Sequence, residues 1–371
     1  MNVLMVTIGF SPLGGLEIYT RDVAQGLVAS GHEVAVWSVL DAVEPLEGAR
    51  IDEWAPTSRL ARSAHYRLFQ RKLALRVGRH RDIYDLVLCM HPLLAPGTHR
   101  GLRRSGTPFW VWTYGTDIWG TWSIALRGAL AAARSIATIS YFTAARIRES
   151  MPEADVPVLF PTVDVDRFPA DTTPPDLSRD PVLLTVSRIA EDDAYKGHDR
   201  VIESLPLVQR DLGRKVVYRI AGGGDGADRL RRIAQEHGVG DRVKFLGRVD
   251  DATLAEEYRR CDLFAMPSRM DPAPDGSFWG EGFGIVYIEA QSTGRPVVAS
   301  NQAAAPETLQ DGVTGLTADP DSPRAIADAC VQILSLPDRG RAMGGAGRAF
   351  VTSTFARDVF QGRLDALVTR G

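Results

Sequence analysis

The sequence has few cysteines, no marked excess of one charge and no long apolar run. Its three cysteines lie far apart and include no CxxC pair, which argues against a disulfide framework or a zinc site and fits a reducing cytosol. The formal net charge of -3 provides no general attraction to nucleic acid. No apolar stretch is long enough to span a bilayer, and the apolar N-terminus lacks the charged leader and cleavage site of a secretion signal. We therefore expect a cytoplasmic protein that does not bind nucleic acid.

The chain length and the pattern of apolar residues predict two domains. A chain of 371 residues is longer than a single core usually grows. Short β-branched or aromatic runs alternate with helical stretches, which is typical of parallel sheets covered on both faces. The sequence thus predicts two Rossmann-like, doubly wound α/β domains that face a central cleft. Their expected limits are 1–163 for the first domain, 164–180 for a proline-rich linker, 181–350 for the second domain and 351–371 for a C-terminal helix that crosses back to the first. The predicted strands are 2–10, 33–39, 86–90, 109–113, 135–139, 156–160, 182–189, 216–221, 243–247, 263–267 and 296–300.

A glycine pair, Gly14 and Gly15, lies between the first predicted strand and a helix. Glycines let backbone amides approach a ligand closely, and a helix N-terminus favours an anion. A plain tight turn explains the pair equally well. A second glycine-rich run at 222–226 also follows a strand, but neither run has the GxGxxG spacing of a dinucleotide site, which disfavours an NAD-dependent oxidoreductase.

Two glutamates, Glu281 and Glu289, bracket a glycine-marked helix start. If the helix begins near Phe283, its first amides point at phosphate or sugar oxygens. Glu289 then lies about 8–9 Å further along, roughly the span from a diphosphate to its ribose. Glu281, on the loop, is free to bond sugar hydroxyls. The alternative is that Glu289 is a solvated helix residue, although Ile288 and Ala290 favour a buried helix in which a carboxylate needs a partner.

Two cations, Arg188 and Lys196, follow the first strand of the second half. Together they can neutralise a diphosphate leaving group without a metal, whereas each taken alone is more often a surface residue. Asp164 and Asp166 form an Asp-x-Asp pair of the kind that binds a metal in some enzymes, but they lie in the linker and we interpret them as structural. We therefore predict no metal and no cofactor.

Together these motifs resemble glycosyltransferase family four over nearly the whole chain. The resemblance implies the two-domain GT-B fold, with an acceptor domain at 1–163 and a sugar-nucleotide domain at 181–350. It also implies retaining transfer of a hexosyl unit from a nucleoside-diphosphate sugar to an acceptor hydroxyl. The segment 266–308 is most similar to the phosphatidylinositol mannosyltransferase branch, which favours GDP-mannose over a UDP-sugar. The chain departs from the family at Ala303 and Ala304, where a glycine pair often precedes Ala-Pro-Glu.

The resemblance also implies a role for each matching residue. His91 is expected beside the anomeric carbon of the donor, where it orients the hexose; the alternative is a histidine that only caps a turn or packs. Asp117 is a candidate on the acceptor side, within a run that has Tyr114 where the family has histidine. The resemblance assigns the binding of the diphosphate to Arg188 and Lys196, the contact with the hexose to Glu281 and the contact with the ribose to Glu289. It assigns backbone contacts with phosphate and sugar to Gly14, Gly15, Phe283, Gly284 and Ile285.

The stretch from Ser58 to Arg81 carries eight cationic residues and no acid, with apolar residues at near-helical spacing. A basic amphipathic helix can lie on an anionic membrane. The alternatives are a solvated helix and a helix that meets an anionic acceptor. The apolar residues are Leu60, Leu68, Phe69, Leu73 and Val77, and the cations are Arg59, Arg62, Arg67, Arg71, Lys72, Arg76, Arg79 and Arg81.

Other functions remain open on the sequence alone. A sugar-nucleotide epimerase or a phosphorylase of the same fold is the nearest rival among enzymes. A non-catalytic sugar-binding protein is the rival from another class, but it has no use for the element that recognises a nucleotide. The acceptor is open as well: a lipid, a glycan or a small natural product.

Overall fold

The structure is a computed structural model that describes residues 1–11, 14–39, 45–53, 64–170, 178–273 and 276–369. The chain forms two compact units, each built on a six-stranded parallel sheet. Unit 1 contains Met1–Thr162 together with Asp275–Ser277 and Phe360–Gly371, and unit 2 contains Val163–Pro274 and Phe278–Val359. The predicted class of two Rossmann-like α/β domains is confirmed.

Unit 1 has the strand order β3-β2-β1-β4-β5-β6. Its central strands are buried along nearly their whole length, because helices cover both faces of a parallel sheet. Its strands are β1 (Asn2–Thr7), β2 (Glu33–Ser38), β3 (Ala49–Glu53), β4 (Leu86–Cys89), β5 (Phe109–Thr113) and β6 (Ser135–Thr138). Its helices before the boundary are α1 (Gly15–Ala29), α2 (Ala64–His80), α3 (Ala95–Leu102), α4 (Ile124–Ala132) and α5 (Tyr141–Ser150).

Unit 2 has the strand order β14-β13-β10-β7-β8-β9, and its core is formed by side chains such as Leu183, Leu205 and Ile326. Because β10 pairs directly with β7, the loops that follow these two strands emerge at the same edge of the sheet. Its strands are β7 (Val182–Val186), β8 (Val217–Ala221), β9 (Val243–Gly247), β10 (Leu263–Met266), β11 (Asp271–Pro272), β12 (Phe278–Trp279), β13 (Val297–Ser300) and β14 (Gly315–Ala318). Its helices are α6 (His198–Leu212), α7 (Ala227–Glu236), α8 (Asp251–Arg260), α9 (Ile285–Ser292), α10 (Pro323–Leu334) and α11 (Pro337–Phe355).

The last helix, α12 (Arg357–Thr369), belongs to unit 1 from Phe360 onward. It packs on α1, where Gln361 Nε2 donates to the carbonyl of Gly26 at 3.0 Å. A Cβ at Gly26 would lie 2.5 Å from Leu364, so only glycine permits this approach. The C-terminal segment thus returns to the first unit, as the sequence predicts.

Three strand assignments in the two six-stranded sheets differ from the sequence-based prediction, and the two short strands β11 and β12 were not predicted either. The prediction of a strand at 156–160 is wrong, because this segment forms only an isolated bridge between Val158 and Thr138. The strands β3 and β14 were not predicted. Both lie at the edge of their sheet, and edge strands need no continuous apolar run.

The apolar stripe of the basic segment lies in the core of unit 1. Phe69, Leu73 and Val77 on α2 are buried, and α2 packs closely on α3 because Gly97 and Gly101 leave room for it. The expectation that this stripe meets a membrane is therefore wrong. Of the remaining residues in that prediction, Leu68 is half exposed, and Arg59, Leu60 and Arg62 lie outside the described residues.

Candidate functional site

Helix α9 begins at Ile285, two residues later than the sequence predicts, with Gly284 as its N-cap. Gly284 has a φ of 97°, and a Cβ at this position would lie 2.4 Å from the ring of Tyr287. The N–H of Tyr287 donates to the carbonyl of Gly284 at 3.1 Å, which leaves the N–H groups of Ile285 and Val286 for an oxygen-rich ligand. Phe283, just before the cap, is buried and contributes only its backbone.

Lys196 and Glu281 form a nearly buried ion pair beside this helix start. Lys196 Nζ lies 2.7 Å from Glu281 Oε2, and the two side chains are only 15% and 11% exposed. The Glu281 side chain also lies against Gly284, since its Cγ is 3.3 Å from the position of a Cβ there. Two motifs 85 residues apart in sequence thus meet at the N-terminus of α9.

The turn that carries Lys196 is held in place from two sides. Gly197 has a φ of 81°, and a Cβ on it would lie 2.2 Å from the carbonyl oxygen of Pro267, at the end of β10. The nearly buried guanidinium of Arg269 donates to the carboxylate of Asp199 at 3.1 Å and to the carbonyl of Ala194 at 2.9 Å. These contacts with residues that are distant in sequence fix the position of the turn and therefore of Lys196.

Arg188 follows β7, and its side chain is 77% exposed. It is held by Asp193, which is buried in the same 3₁₀ turn (Glu191–Lys196) and accepts from Arg188 Nη2 at 3.2 Å. The glycine run after β8 packs under this loop: a Cβ on Gly222 would lie 1.7 Å from the carbonyl oxygen of Ser187. This close packing, and not a dinucleotide, explains why the run is glycine-rich.

Glu289 lies on α9, one turn beyond Ile285, or roughly 6 Å along the helix axis. Its Oε2 accepts a hydrogen bond of 2.8 Å from the hydroxyl of Tyr258. Burial raises the pKa of Glu289, and the hydrogen bond from Tyr258 acts in the opposite direction. Tyr258 is therefore the hydrogen-bond partner that the sequence predicts for a carboxylate on a buried helix, and it occupies one of the two oxygens of Glu289.

The Ala303-Ala304 departure has a structural consequence. Ala303 has a φ of 52° and is the one non-glycine residue with a positive φ in the described part of the chain. Such a conformation costs an alanine roughly 1–2 kcal/mol, which accounts for the glycine that the family often has here. The strained turn directs the N–H of the buried Ala304 to the carbonyl of Glu281 at 3.3 Å.

In unit 1, the glycine turn forms the start of α1. Gly14 is the N-cap with a φ of 97°. A Cβ on Gly14 would lie 2.4 Å from Oε2 of Glu17, so the carboxylate of Glu17 lies over the helix start. A carboxylate at a helix N-terminus already takes the favourable place of an anion, which weighs against a second anion here. The contact of Gly14 and Gly15 with a donor stays a prediction.

His91 lies directly beyond β4 and caps the short 3₁₀ turn that follows. Its Nδ1 accepts from the backbone N–H of Leu93 at 3.1 Å. Burial lowers the pKa of His91 to about 4, so the ring is neutral at pH 7 and carries its proton on Nε2. The ring stacks on Tyr114, with the centroids 6.4 Å apart. The tyrosine that replaces the family's histidine thus supports His91.

Asp117 holds the loop that follows β5. Its carboxylate accepts from the backbone N–H groups of Tyr114 at 3.0 Å and Gly115 at 2.7 Å. Burial raises its pKa to about 6, although these backbone hydrogen bonds oppose the shift. Its Oδ2 lies 4.0 Å from Nε2 of His91, which brings these two predicted site residues together.

The Asp-x-Asp pair of the linker has a structural role in this molecule. Asp164 Oδ1 accepts from the N–H groups of Asp166 and Arg167 at 3.1 and 3.2 Å and so closes a turn. Among the residues that the structure describes, no group of three or more histidine, cysteine or acidic side chains is arranged to hold a metal. The absence of a metal requirement stays a prediction.

The structure thus gathers the predicted residues into two places. In unit 2, Lys196, Glu281 and Gly284 are in contact. In unit 1, His91 and Asp117 are neighbours. Sequence reasoning did not foresee the supporting role of several residues, because their partners are distant in sequence or depend on the backbone conformation. These supporting residues are Asp193, Asp199, Tyr258, Arg269, Ala303 and Glu17.

Two protein-family models match the chain. Residues 13–167 match the model described as Glycosyltransferase Family 4, and residues 173–350 match the model described as Glycosyl transferases group 1. Together the matches cover the cores of both units.

Two curated relatives carry the same name, GDP-mannose-dependent alpha-(1-6)-phosphatidylinositol monomannoside mannosyltransferase. The protein from Mycolicibacterium smegmatis is 32% identical over 368 residues, which are 93% of this chain and 92% of the relative. The protein from Mycobacterium tuberculosis is 36% identical over 234 residues, which are 61% of this chain and 59% of the relative. The match to the second relative thus spans less than two thirds of its length.

A solved structure of sucrose-phosphate synthase from Thermosynechococcus elongatus has a similar backbone. The TM-score is 0.81 at 20% identity, and the superposition covers 100% of this chain and 99% of the other. At this identity the likeness shows the fold alone, which is the GT-B class that the sequence predicts.

Proposed function

Because the chain belongs to glycosyltransferase family four, we propose that it transfers a mannosyl unit from GDP-mannose to an acceptor hydroxyl with retention of anomeric configuration. The donor is inferred from the names of the two relatives, which are GDP-mannose-dependent. A UDP-sugar is the alternative donor. By the same names, the acceptor belongs to the mannosylated phosphatidylinositols.

The proposed reaction is a front-face displacement. The bond between the anomeric carbon and the β-phosphate oxygen breaks, and a bond from the acceptor oxygen to that carbon forms on the same face. The acceptor proton passes to the departing diphosphate, so no carboxylate base is required. Lys196 and Arg188 stabilise the negative charge that develops on the diphosphate. A cation held in a fixed position and shielded from water, as Lys196 is, stabilises such a charge most strongly. Glu281 binds the hydroxyls of the hexose.

The observation that carries the proposal is the contact of Lys196, Glu281 and Gly284 at the start of α9. The ammonium of Lys196 contacts the carboxylate of Glu281, and the Glu281 side chain lies against Gly284, beside the first N–H groups of α9. This set matches the parts of a sugar diphosphate: the cation and the amides fit phosphate oxygens, and the carboxylate fits hydroxyls. A protein that binds only a free sugar has no need of the cation at this helix start.

The donor is tested by measuring the melting temperature and the turnover with GDP-mannose, UDP-glucose and ADP-glucose in the presence of EDTA. A ligand at a hundred times its Kd stabilises the fold by about 2.7 kcal/mol, which gives a clear shift. We expect stabilisation and turnover with GDP-mannose in EDTA, because two protein cations replace the metal. Selective turnover of UDP-glucose would reassign the donor. Loss of turnover in EDTA and its recovery with magnesium would contradict the metal-free mechanism.

His91→Ala is expected to lower kcat about a hundredfold while the affinity for GDP stays unchanged. We expect the Nε2–H of His91 to orient the hexose, and misplacement of a reacting centre by about 1 Å can cost roughly a hundredfold. His91 is expected to touch only the hexose and not the nucleotide, so the Kd of GDP should not respond. His32→Ala is the matched control, since His32 is a partly buried histidine of the same unit to which no role is assigned. Normal turnover of His91→Ala would remove His91 from the reaction.

We further propose peripheral contact of unit 1 with an anionic membrane. In the part of the chain that the structure describes, no helix is both long and apolar enough to cross a bilayer. Residues 64–134 contain eleven lysines and arginines but three acids, although the whole chain is slightly acidic. The outward face of α2 is basic and also exposes Leu68 and Leu75, by 50% and 62%. Its cations are Arg67, Arg71, Lys72 and Arg79.

The cations of this surface differ from those of unit 2 in their partners. Within the described ranges, no ion pair involves the four outward-facing cations of α2 named above, and the same holds for Arg100, Arg103, Arg104 and Arg134. In unit 2, by contrast, Arg179 pairs with Asp262 and Arg219 with Glu257. Unpaired surface cations repel one another and lower their energy beside an anionic surface, at about 1 kcal/mol for each near the lipid. A shallow hollow of about 300 Å³ lined by His99, Arg103 and Arg134 has the charge that suits a lipid phosphate.

Replacement of Arg67, Arg71 and Lys72 by serine is expected to abolish pelleting with phosphatidylglycerol vesicles at low salt. The attraction is electrostatic, so it should also disappear as salt rises, and phosphatidylcholine vesicles should not pellet the protein. Replacement of Arg231, Arg259 and Arg341 in unit 2 is the matched control, because it removes the same charge from surface ion pairs. Equal pelleting of both triple variants would contradict a docking surface on α2.

A further inference from the structure

Trp279 is the one aromatic side chain that is clearly exposed among the described residues of unit 2, with 37% of its surface accessible. It ends β12, the second strand of a short antiparallel hairpin in which Asp271 pairs with Trp279 and Pro272 with Phe278. Glu281 follows only two residues later. An exposed indole at this point costs free energy unless a ligand covers it, and its place in the sequence puts it at the rim of the donor site.

The Trp279 ring is supported from beneath. It stacks on the half-buried ring of Tyr195, with the centroids 6.4 Å apart and the planes 28° from parallel. Nζ of Lys196 lies 5.0 Å from the centroid of Tyr195 and 2.7 Å from the carboxylate of Glu281. Trp279, Tyr195, Lys196 and Glu281 therefore form one continuous row of contacts, with the indole at its open end.

The face of an indole suits a six-membered polyol ring. The aromatic face carries partial negative charge, and the C–H groups on one side of a pyranose or cyclitol form a patch that is apolar and slightly positive. The hydroxyls of such a ring point outward to polar groups. Ligand sites commonly combine an aromatic wall with a few charged groups in this way. Here the half-exposed carboxylate of Asp271, the residue that pairs with Trp279 in the hairpin, can supply a hydrogen-bond acceptor.

We propose that Trp279, supported by Tyr195, is the platform on which the six-membered polyol ring of the acceptor stacks. The inference rests on the proposed function, in which Lys196 and Glu281 hold the donor. Because the Tyr195 ring lies between Trp279 and Lys196, the free indole face borders the donor position and does not form it. A ring stacked there presents its edge hydroxyls toward the sugar that is transferred.

The test compares Trp279→Ala and Trp279→Phe with the wild type, using GDP-mannose as donor and two acceptor probes. Octyl α-mannoside carries a pyranose ring, whereas octanol offers a hydroxyl without a ring. We expect Trp279→Ala to raise the KM for octyl α-mannoside at least tenfold, with kcat, the KM for GDP-mannose and any transfer to octanol changed less than threefold. Trp279→Phe keeps an aromatic face and should recover most of the loss. Tyr141→Ala, which removes an exposed aromatic from unit 1, should leave all of these values unchanged.

A weakened affinity for GDP-mannose in Trp279→Ala would place the indole in the donor site and overturn the proposal, as would an unchanged KM for the mannoside. Failure of the proposed function is recognised separately, as absence of transfer by the wild type. Calorimetric titration of methyl α-mannoside in the presence of GDP then tests the platform without turnover. Binding by the wild type that Trp279→Ala abolishes supports the platform. Equal binding by the two proteins, or no binding by the wild type, overturns it.

Discussion

Replacement of Lys196 by alanine is expected to lower kcat/KM for glycosyl transfer about a thousandfold. The diphosphate gains negative charge as its bond to the anomeric carbon breaks, and loss of one fixed donor to such a charge costs roughly a hundred- to a thousandfold. Burial alone would lower the pKa of Lys196, but the attraction of Glu281 outweighs burial and raises it. The ammonium is therefore fully charged at neutral pH, and its removal withdraws a whole charge from the site.

The substitution also leaves the nearly buried Glu281 without its cation, and breaking such a pair can destabilise a fold by about 3–5 kcal/mol. The melting temperature of Lys196→Ala must therefore be measured, and the double variant with Glu281→Gln removes the unpaired charge. The double variant should regain stability without regaining activity. Arg200→Ala is the matched control, since Arg200 forms an ion pair with Glu203, three residues further along α6 in the same unit. A folded Lys196→Ala with kcat/KM within tenfold of the wild type would exclude Lys196 from the leaving-group site.

Glu289→Ala is expected to weaken the binding of GDP by about 2–4 kcal/mol, roughly thirty- to a thousandfold in Kd, without unfolding the protein. The reason is the loss of two charge-assisted hydrogen bonds to the ribose hydroxyls. Because burial raises the pKa of Glu289, the carboxylate is present only above this raised value. The affinity of the wild type should therefore fall as the pH is lowered through that pKa, and the affinity of Glu289→Ala should not. Titration calorimetry with GDP at several pH values measures both effects.

Tyr258→Phe separates the ribose contact of Glu289 from a merely structural role. Tyr258 holds only one carboxylate oxygen, so its loss should weaken GDP binding much less than the loss of Glu289 itself. Glu289→Gln, which keeps the shape but not the charge, should lie between the two. If Glu289→Ala binds GDP as tightly as the wild type, Glu289 does not contact the nucleotide.

The local features of this protein follow from its sequence alone. Alternation of apolar runs with helical stretches predicted the two parallel α/β units, because a strand buried on both faces must be apolar throughout. The glycine before α9 was recognisable for a similar reason: Gly284 adopts a backbone conformation that other residues rarely accept. The limits of elements were less accurate, since the cap geometry moved the start of α9 to Ile285.

The amphipathic basic segment shows where a pattern alone is insufficient. Its periodicity correctly indicated a helix, α2, but could not tell what its apolar side meets. The small Gly97 and Gly101 of α3 let α2 approach closely, so Phe69, Leu73 and Val77 enter the core of unit 1. Only the outward, basic face remains for a partner.

The sequence by itself determined which chemical groups this protein has near these sites: two cations after β7, two glutamates on either side of the start of α9, and a histidine after β4. The tertiary structure decided which of them meet. Because β7 and β10 are neighbours in the sheet although about eighty residues separate them, Lys196 reaches Glu281. Partners such as Asp193 for Arg188 and Tyr258 for Glu289 are likewise fixed by packing. Such pairings depend on strand order and close approach, which no local pattern of residues encodes.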